Sequence, residues 1–390
     1  MGGWMDQTAR GWLVYSLTNS ALQLGLINAV RGIPMIFFGA VAGVLADRYG
    51  RKIQLVLAQA INFILNILLA TLVTSGRIEL WHIYVTGFFA GAVWSFQQPA
   101  GQAMISDLVD NKYTLNAISL NSAGQNMSRI VGPSIAGLLI QFLGVGFSYY
   151  FQAGMYVIAI ILTVQIRLPK TQAPVKYTPL SEREPFLTSL RQGFSYIQAH
   201  SIILALLVLA LTTNFLGAPY LSLMPIFAID VFHGNAGTQG LLLTMGGVGA
   251  IIGALAIASI GRRHTNIKLL LGGAAAYGLC LILFSRSPVL AMAMGATFLS
   301  SCLFNMYLAQ AQTIIQTTTP VGIRGRVLSV YYMSNALMPL GSLLIGALAA
   351  AISAPWAVTI MGLACFLVVV VIAITAKDLR HFGKPAKVEI

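Results

Sequence analysis

The 390-residue chain is 57% apolar and only 8% charged, with a mean hydropathy of +0.81. A soluble domain carries about a quarter charged residues, so this composition describes an integral membrane protein and leaves no room for a sizeable aqueous domain. The surplus of 23 Lys and Arg over 10 Asp and Glu gives +13, and its placement argues against a nucleic-acid partner. Along an even-numbered helix pattern, 18 of the 23 basic residues fall on one side, only Arg77 and Arg286 on the other, and Arg10, Arg31 and Arg129 inside spans. That asymmetry is positive-inside orientation and assigns both termini to the cytoplasm.

The apolar runs are continuous, as helices require, not the short alternating segments of a barrel. In chain order, spans are expected near 4–17, 21–46, 53–74, 81–104, 115–142 and 146–166. A second set is expected near 200–229, 238–260, 267–284, 288–312, 326–351 and 355–376. The reading is thus an all-α membrane protein of about 12 helices in two six-helix bundles, residues 1–166 and 199–390. Between them the Pro- and charge-rich stretch 167–198 forms a cytoplasmic linker, and a short cytoplasmic tail ends the chain. The first span is short: Met1 to Thr18 makes about 27 Å of helix, and a missing upstream segment is the preferred explanation. Cys280, Cys302 and Cys365 all lie in apolar runs and behave as small hydrophobes.

An internal repeat supports the division. Gly132 and Gly137 reappear as Gly341 and Gly346, an offset of 209. Gly50-Arg51-Lys52 reappears as Gly261-Arg262-Arg263, an offset of 211.

Asp6, Arg10, Arg31 and Arg129 are the costly residues, because an intramembrane charge faces a partner or a cavity. Asp6 lies 13 residues before Asn19 and Arg31 lies 12 after it. At 1.5 Å per residue they sit level, about 20 and 18 Å below that turn. Arg129 lies about 22 Å below Gly144, so an acid and two bases from three helices are expected to meet. Two readings stay open: Asp6 as a proton-coupling carboxylate, with Arg129 facing an anionic solute or counter-charge, or a static buried salt bridge. Arg10 follows Asp6 by four residues, which also permits a private pair along one helix.

The connection Gly43-Val-Leu-Ala-Asp47-Arg48-Tyr49-Gly50-Arg51-Lys52 resembles the cytoplasmic loop signature of the major facilitator superfamily. Parallel six-helix repeats are that superfamily's construction. The runs at 11–21 and 129–137 and the tail at 378–382 look like the branch holding the enterobactin exporter and macrolide-efflux proteins. The resemblance implies that Asp47 braces one half against the other and releases during transport. Gly132, Pro133 and Gly137 resemble part of the antiporter signature of drug exporters, while close helix packing explains the same glycines equally well. The resemblance further implies that Gln97, Gln98, Asn214 and Asn305 line a central cavity, with hydrogen bonding between helices as the plainer alternative.

No phosphate loop, HExxH, CxxC or G-x-S-x-G motif occurs, and the five histidines are scattered. Neither an enzyme nor a metal or other cofactor is expected. The chain is expected to be a monomeric secondary transporter of the bacterial inner membrane. It would export a small amphipathic molecule of drug, macrolide or siderophore type by alternating access, with proton antiport. An importer or facilitator on the same fold is the alternative, and a non-transporting membrane sensor the remote one.

Overall fold

The structure is a computed structural model, and it describes residues 1–48, 50–166, 186–260 and 267–376. Among the described residues every regular element is helical. Six helices come first: α1 Gly2–Thr18, α2 Ala21–Arg48, α3 Arg51–Thr74, α4 Leu80–Leu108, α5 Thr114–Leu143 and α6 Val145–Gln165. The shorter α7, Phe186–Ala199, follows. Then come α8 Ser201–Val231, α9 Ala236–Ile260, α10 Ile267–Ser285, α11 Leu290–Thr318, α12 Val321–Ala351 and α13 Ala354–Thr375. Apart from α7, these are twelve rods at the places where the apolar runs put them. Eight of the helices are long and apolar enough to cross a bilayer on those two criteria alone. The 17-residue α1, the charge-bearing α2 and the polar-rich α4 and α5 are not among them.

Asn19, in the left-handed region at φ 48°, ends α1 and returns its N–H to the Tyr15 carbonyl. Gly144 at φ 85° makes the corresponding turn between α5 and α6, a conformation that side chains with a Cβ rarely adopt.

Two rods are irregular. In α8 the backbone opens into a wide turn at Thr213–Gly217 and tightens over Ala218–Leu223. Pro219 and Pro225 cannot donate to the carbonyls four residues before them. Gly341 of α12 fits against the Phe215 carbonyl so freed, where any Cβ would collide. In α12 the tighter turn lies at Met333–Leu337. These irregularities are invisible to hydropathy, because the apolar run passes through them without a break.

The chain gathers into two compact units, each described by itself. Unit one is Met1–Tyr177 with Leu221–Thr244 and Ser342–Ala354. Unit two is Thr178–Tyr220, Met245–Gly341 and Pro355–Ile390.

Within unit one the sequence repeat becomes a pair of matched crossings. Gly137 of α5 meets α9, where an added Cβ would stand 2.6 Å from the Ala236 carbonyl and 3.0 Å from Gly240 Cα. Its repeat counterpart, Gly346 of α12, meets α2, where a Cβ would stand 2.8 Å from the Ala21 carbonyl and 2.9 Å from Gly25 Cα. Small residues let backbones approach this closely, so packing forces can join helices that have no hydrophobic advantage in lipid. Hydroxyl pairs flank both crossings: Ser134 with Thr244 at 2.6 Å, and Ser222 donating to Ser342 at 2.9 Å.

Unit two carries an apolar cluster built on Leu206, Leu209, Leu270, Ile314, Ile315 and Val327. Ile197 of α7 is part of it. The expected linker therefore contains a helix. Gly193 of α7 rests against the backbone of Arg326 on α12, and the Arg326 guanidinium donates to the Gln192 side-chain carbonyl. The polar composition of 167–198 hid an amphipathic helix that buries one face.

Candidate substrate and coupling site

α1 carries Asp6 and Arg10 one turn apart, and both are buried. Arg10 grips Asp6 with two donors, Nη2 to Oδ1 at 2.9 Å and Nε to Oδ2 at 3.3 Å. Its remaining edge crosses to α4, where Nη1 donates to the Ile83 carbonyl at 3.0 Å and to Thr86 Oγ1 at 2.8 Å. This guanidinium is nearly saturated. Arg31 of α2 meets the same carboxylate by one contact, Nη1 to Oδ2 at 3.3 Å, and its side chain is 20% exposed. Asp6 thus serves two cations from two helices, and the cluster carries one net positive charge.

Arg31 is admitted by its neighbour. Gly91 of α4 lies against the Arg31 carbonyl so closely that any Cβ would collide, and Gly87 one turn earlier faces Ile27. A four-residue glycine pair on α4 therefore brings α2 and its charge up to α1.

Two recesses share this cluster. The first is lined by Asp6, Arg10, Arg31, Asn62, Asn66, Trp94 and Tyr156, among others. Asn62 donates to the Gln97 side-chain carbonyl at 3.4 Å, while the buried Asn66 keeps an unpartnered Oδ1. The second is lined by Gln7, Arg10, Asn28, Arg31, Ser222 and Gln239, among others. Arg10 and Arg31 border both, whereas Asp6 borders only the first.

The other sequence candidates fall elsewhere. Arg129 does not complete the expected three-helix cluster through α5; its guanidinium stands over the Trp4 ring, 5.3 Å from the centroid. The third helix is α4, reached by Arg10. Gly132, one turn past Arg129, packs on α1, where a Cβ would stand 2.9 Å from Trp4 Cβ. Pro133 presents its carbonyl to Gly240 across the α5–α9 crossing. Asn214 donates to the Ala210 carbonyl at 3.0 Å and to Ser334 at 3.3 Å, and Asn305 to the Ser301 carbonyl at 2.8 Å. Gln97 accepts from Asn62, and Gln98 is half-buried beside it on α4.

Within the loop signature, the side chains of Asp47 and Arg48 and the surroundings of Gly43 lie outside the described residues. Gly50 takes φ 74° and starts α3. Lys52 donates to the Val164 and Ile166 carbonyls at 2.7 and 2.9 Å, closing the end of α6, and Arg51 donates to the Ala103 carbonyl of α4 at 3.1 Å. Lys52 thereby caps a helix end whose last carbonyls have no partner of their own, whereas Ala103 lies inside α4.

Asn62, Asn66, Thr86, Tyr156 and Gln239 were not read from the sequence as site residues. A signal existed for the asparagines: Gln59, Asn62 and Asn66 repeat at helical spacing down one buried face of α3. At the far end of α1, Tyr15 donates to the Asp230 carboxylate.

A family model described as "Transmembrane secretion effector" matches residues 1–387. The chain is 25% identical over 387 residues to the staphyloferrin A transporter of Staphylococcus aureus, covering 97% of this chain and 94% of that one. It is 28% identical over 378 residues to the enterobactin exporter EntS of Escherichia coli K12, covering 95% and 87%. Among solved structures it shares its fold with an inward-facing bacterial homolog of the human lysosomal transporter Spinster, with TM-score 0.72 and 16% identity over 98% of this chain and 94% of that one. The nucleoside transporter NupG gives TM-score 0.73 and 13% identity over 96% and 97%.

Proposed function

The chain belongs to the transmembrane secretion effector family of major facilitator transporters, and from that premise we propose that it exports a small amphipathic molecule in exchange for protons. It is a multi-pass membrane transport protein with no reaction of its own to catalyse. The observation that carries the proposal is the buried Asp6–Arg10–Arg31 cluster placed between two recesses. A carboxylate in such a place changes its partners' allegiance when it takes a proton. With Asp6 charged, it holds Arg31 to α1; with Asp6 neutral, two guanidiniums face each other without a counter-charge, and α2 is released from α1. Coupling of that kind lets a proton gradient choose which way the site opens.

In this reading the matched α5–α9 and α12–α2 crossings close one end of the pathway, and the Asp47 loop braces the other, inside the cell. Residues 1–166 and 199–390 tilt about a site shared between them, with 167–198 joining them. Both termini lie in the cytoplasm and the membrane is the bacterial inner membrane. Arg129 stands over Trp4 on α1, the helix that carries Asp6 and Arg10.

The test begins with a drug and siderophore susceptibility panel in a deletion strain to find the solute. Purified protein in liposomes then carries that solute against an imposed pH gradient. Export that collapses when the gradient is dissipated, and that Asp6→Asn abolishes, supports the proposal. Gradient-insensitive movement in both directions makes the chain a facilitator, and movement in the reverse sense an importer.

A further inference from the structure

Both recesses beside the ion cluster are narrow, each with room for about one water molecule, so they take water and not a solute. Asp6 borders only the first. A carboxylate offers about four acceptor positions, two on each oxygen. Arg10 Nε and Arg31 Nη1 occupy both on Oδ2, whereas Oδ1 receives only Arg10 Nη2. One position on Oδ1 is left for a further donor. Asn62 of α3 is nine-tenths buried and spends its amide nitrogen on the Gln97 side-chain carbonyl, which leaves its own Oδ1 as an acceptor in the recess wall. Tyr156 of α6 brings its hydroxyl end against Gly2, the neighbour of Gly3 in the same wall. That hydroxyl has no hydrogen-bond partner among the described residues. Asn66 is different: its amide is spent on the Asn62 carbonyl and its Oδ1 is sealed away from the recess. A buried water needs two to four polar partners, and Asp6, Asn62 and Tyr156 supply three.

We propose that the first recess holds a single water that delivers the proton to Asp6, with Tyr156 and Asn62 as the residues that position it. The water donates one hydrogen to Asp6 Oδ1 and the other to Asn62 Oδ1, and it accepts from the Tyr156 hydroxyl. This rests on the reading of Asp6 as the proton-coupling carboxylate and names how that carboxylate is reached. A hydronium ion standing beside Arg10 and Arg31 is repelled by both, so the proton moves in one concerted shift. Tyr156 accepts the arriving proton as it passes its own to the water, and the water passes one to Asp6 Oδ1. Tyr156 and the water end with the protons they began with, Asp6 gains one, and nothing is oxidised or reduced. The shift also explains the division of labour between the oxygens: the proton lands on Oδ1, the oxygen that Arg31 does not touch. Asn62 keeps the water turned toward that oxygen, because its acceptor takes the hydrogen that Asp6 does not.

The experiment is infrared difference spectroscopy of the full chain in phosphatidylcholine nanodiscs, stepped from alkaline to acidic buffer in ordinary water and in water enriched in oxygen-18. The wild-type chain is expected to gain a carboxylic C=O band that Asp6→Asn lacks, together with a water O–H band that shifts with the oxygen isotope. Tyr156→Phe keeps the ring and the fold, so the C=O band of Asp6 persists. Its rise after a photolytic pH jump is expected to slow at least about tenfold, the loss of one positioned proton carrier. Asn62→Leu is expected to abolish the isotope-sensitive band and to move the C=O band to the higher frequency of an acid without that water. Tyr150→Phe, on the same helix but paired with Thr74 away from the recess, is expected to match the wild type in both readings. A wild-type spectrum with the Asp6 band and no isotope-sensitive water, or a Tyr156→Phe rise as fast as the wild type, overturns the water relay and leaves the coupling reading standing. A spectrum in which no C=O band depends on Asp6 sinks the coupling reading as well.

Discussion

Replacing Asp6 with Asn separates the structural share of the ion cluster from its functional share. The carboxylate accepts two donors from Arg10 and one from Arg31, and the side chains of Asp6 and Arg10 are only 8% and 5% exposed. Asn keeps the shape but leaves both guanidiniums uncompensated, raising the local charge from one positive to two. Removing one partner of a buried pair costs about 3–5 kcal/mol, and that is the loss expected here. Arg31→Gln removes one contact of 3.3 Å at a partly exposed side chain and leaves a neutral Asp6–Arg10 pair. Its cost is expected near 1–2 kcal/mol, the range for a hydrogen bond to a charged group. The double variant returns the local charge to one positive, so it should be about 1–2 kcal/mol more stable than the sum of the single losses. Reversible unfolding in lipid, by steric trapping or in mixed micelles, reads all three. An Asp6→Asn loss below about 0.5 kcal/mol, or strict additivity of the pair, would refute the claim that one buried carboxylate holds both cations.

Gly91→Ala should force α2 and α4 apart at Arg31, costing about 1–3 kcal/mol as overpacking does, and should lower transport more than Gly295→Ala, where a Cβ meets open space; equal effects would remove the close approach from the argument. Asp47→Asn should leave insertion and abundance intact and slow transport, because the inner brace weakens; normal transport in that variant would remove the brace. Arg129→Ala should impair transport more than Arg77→Ala, since Arg129 stands on Trp4 of the helix that carries Asp6 and Arg77 follows the end of α3; matched activities would place Arg129 outside the site.

Much of the fold was legible because lipid imposes a single rule on the sequence. Each rod must be apolar over its length, so the spans at 53–74 and 355–376 coincide with α3 and α13 to within about two residues at each end. The helix α7 was not legible, because its one buried face is carried by few residues such as Ile197 amid polar ones. The breaks in α8 were hidden for the opposite reason: Pro219 and Pro225 disrupt hydrogen bonding without lowering hydropathy. At the site, counting residues from Asn19 was enough to set Asp6 level with Arg31, since rise per residue is fixed. It could not choose between Arg129 and α4 as the third contributor, because depth says nothing about which way a side chain faces around its helix. The Gly25–Gly346 and Gly137–Gly240 crossings were half visible: the repeat offset marked Gly137 and Gly346, while their partners on α2 and α9 carry no mark in the sequence beyond being small.

The account turns on whether the end of the pathway near the glycine crossings must open for transport. Ser134 and Thr244 bring their hydroxyls to 2.6 Å across the α5–α9 crossing, a separation from which paired cysteines can bridge. With Cys280, Cys302 and Cys365 replaced by serine, Ser134→Cys with Thr244→Cys should cross-link on oxidation, halt proton-driven transport in liposomes, and recover when reduced. Undiminished transport by fully cross-linked protein would contradict the account.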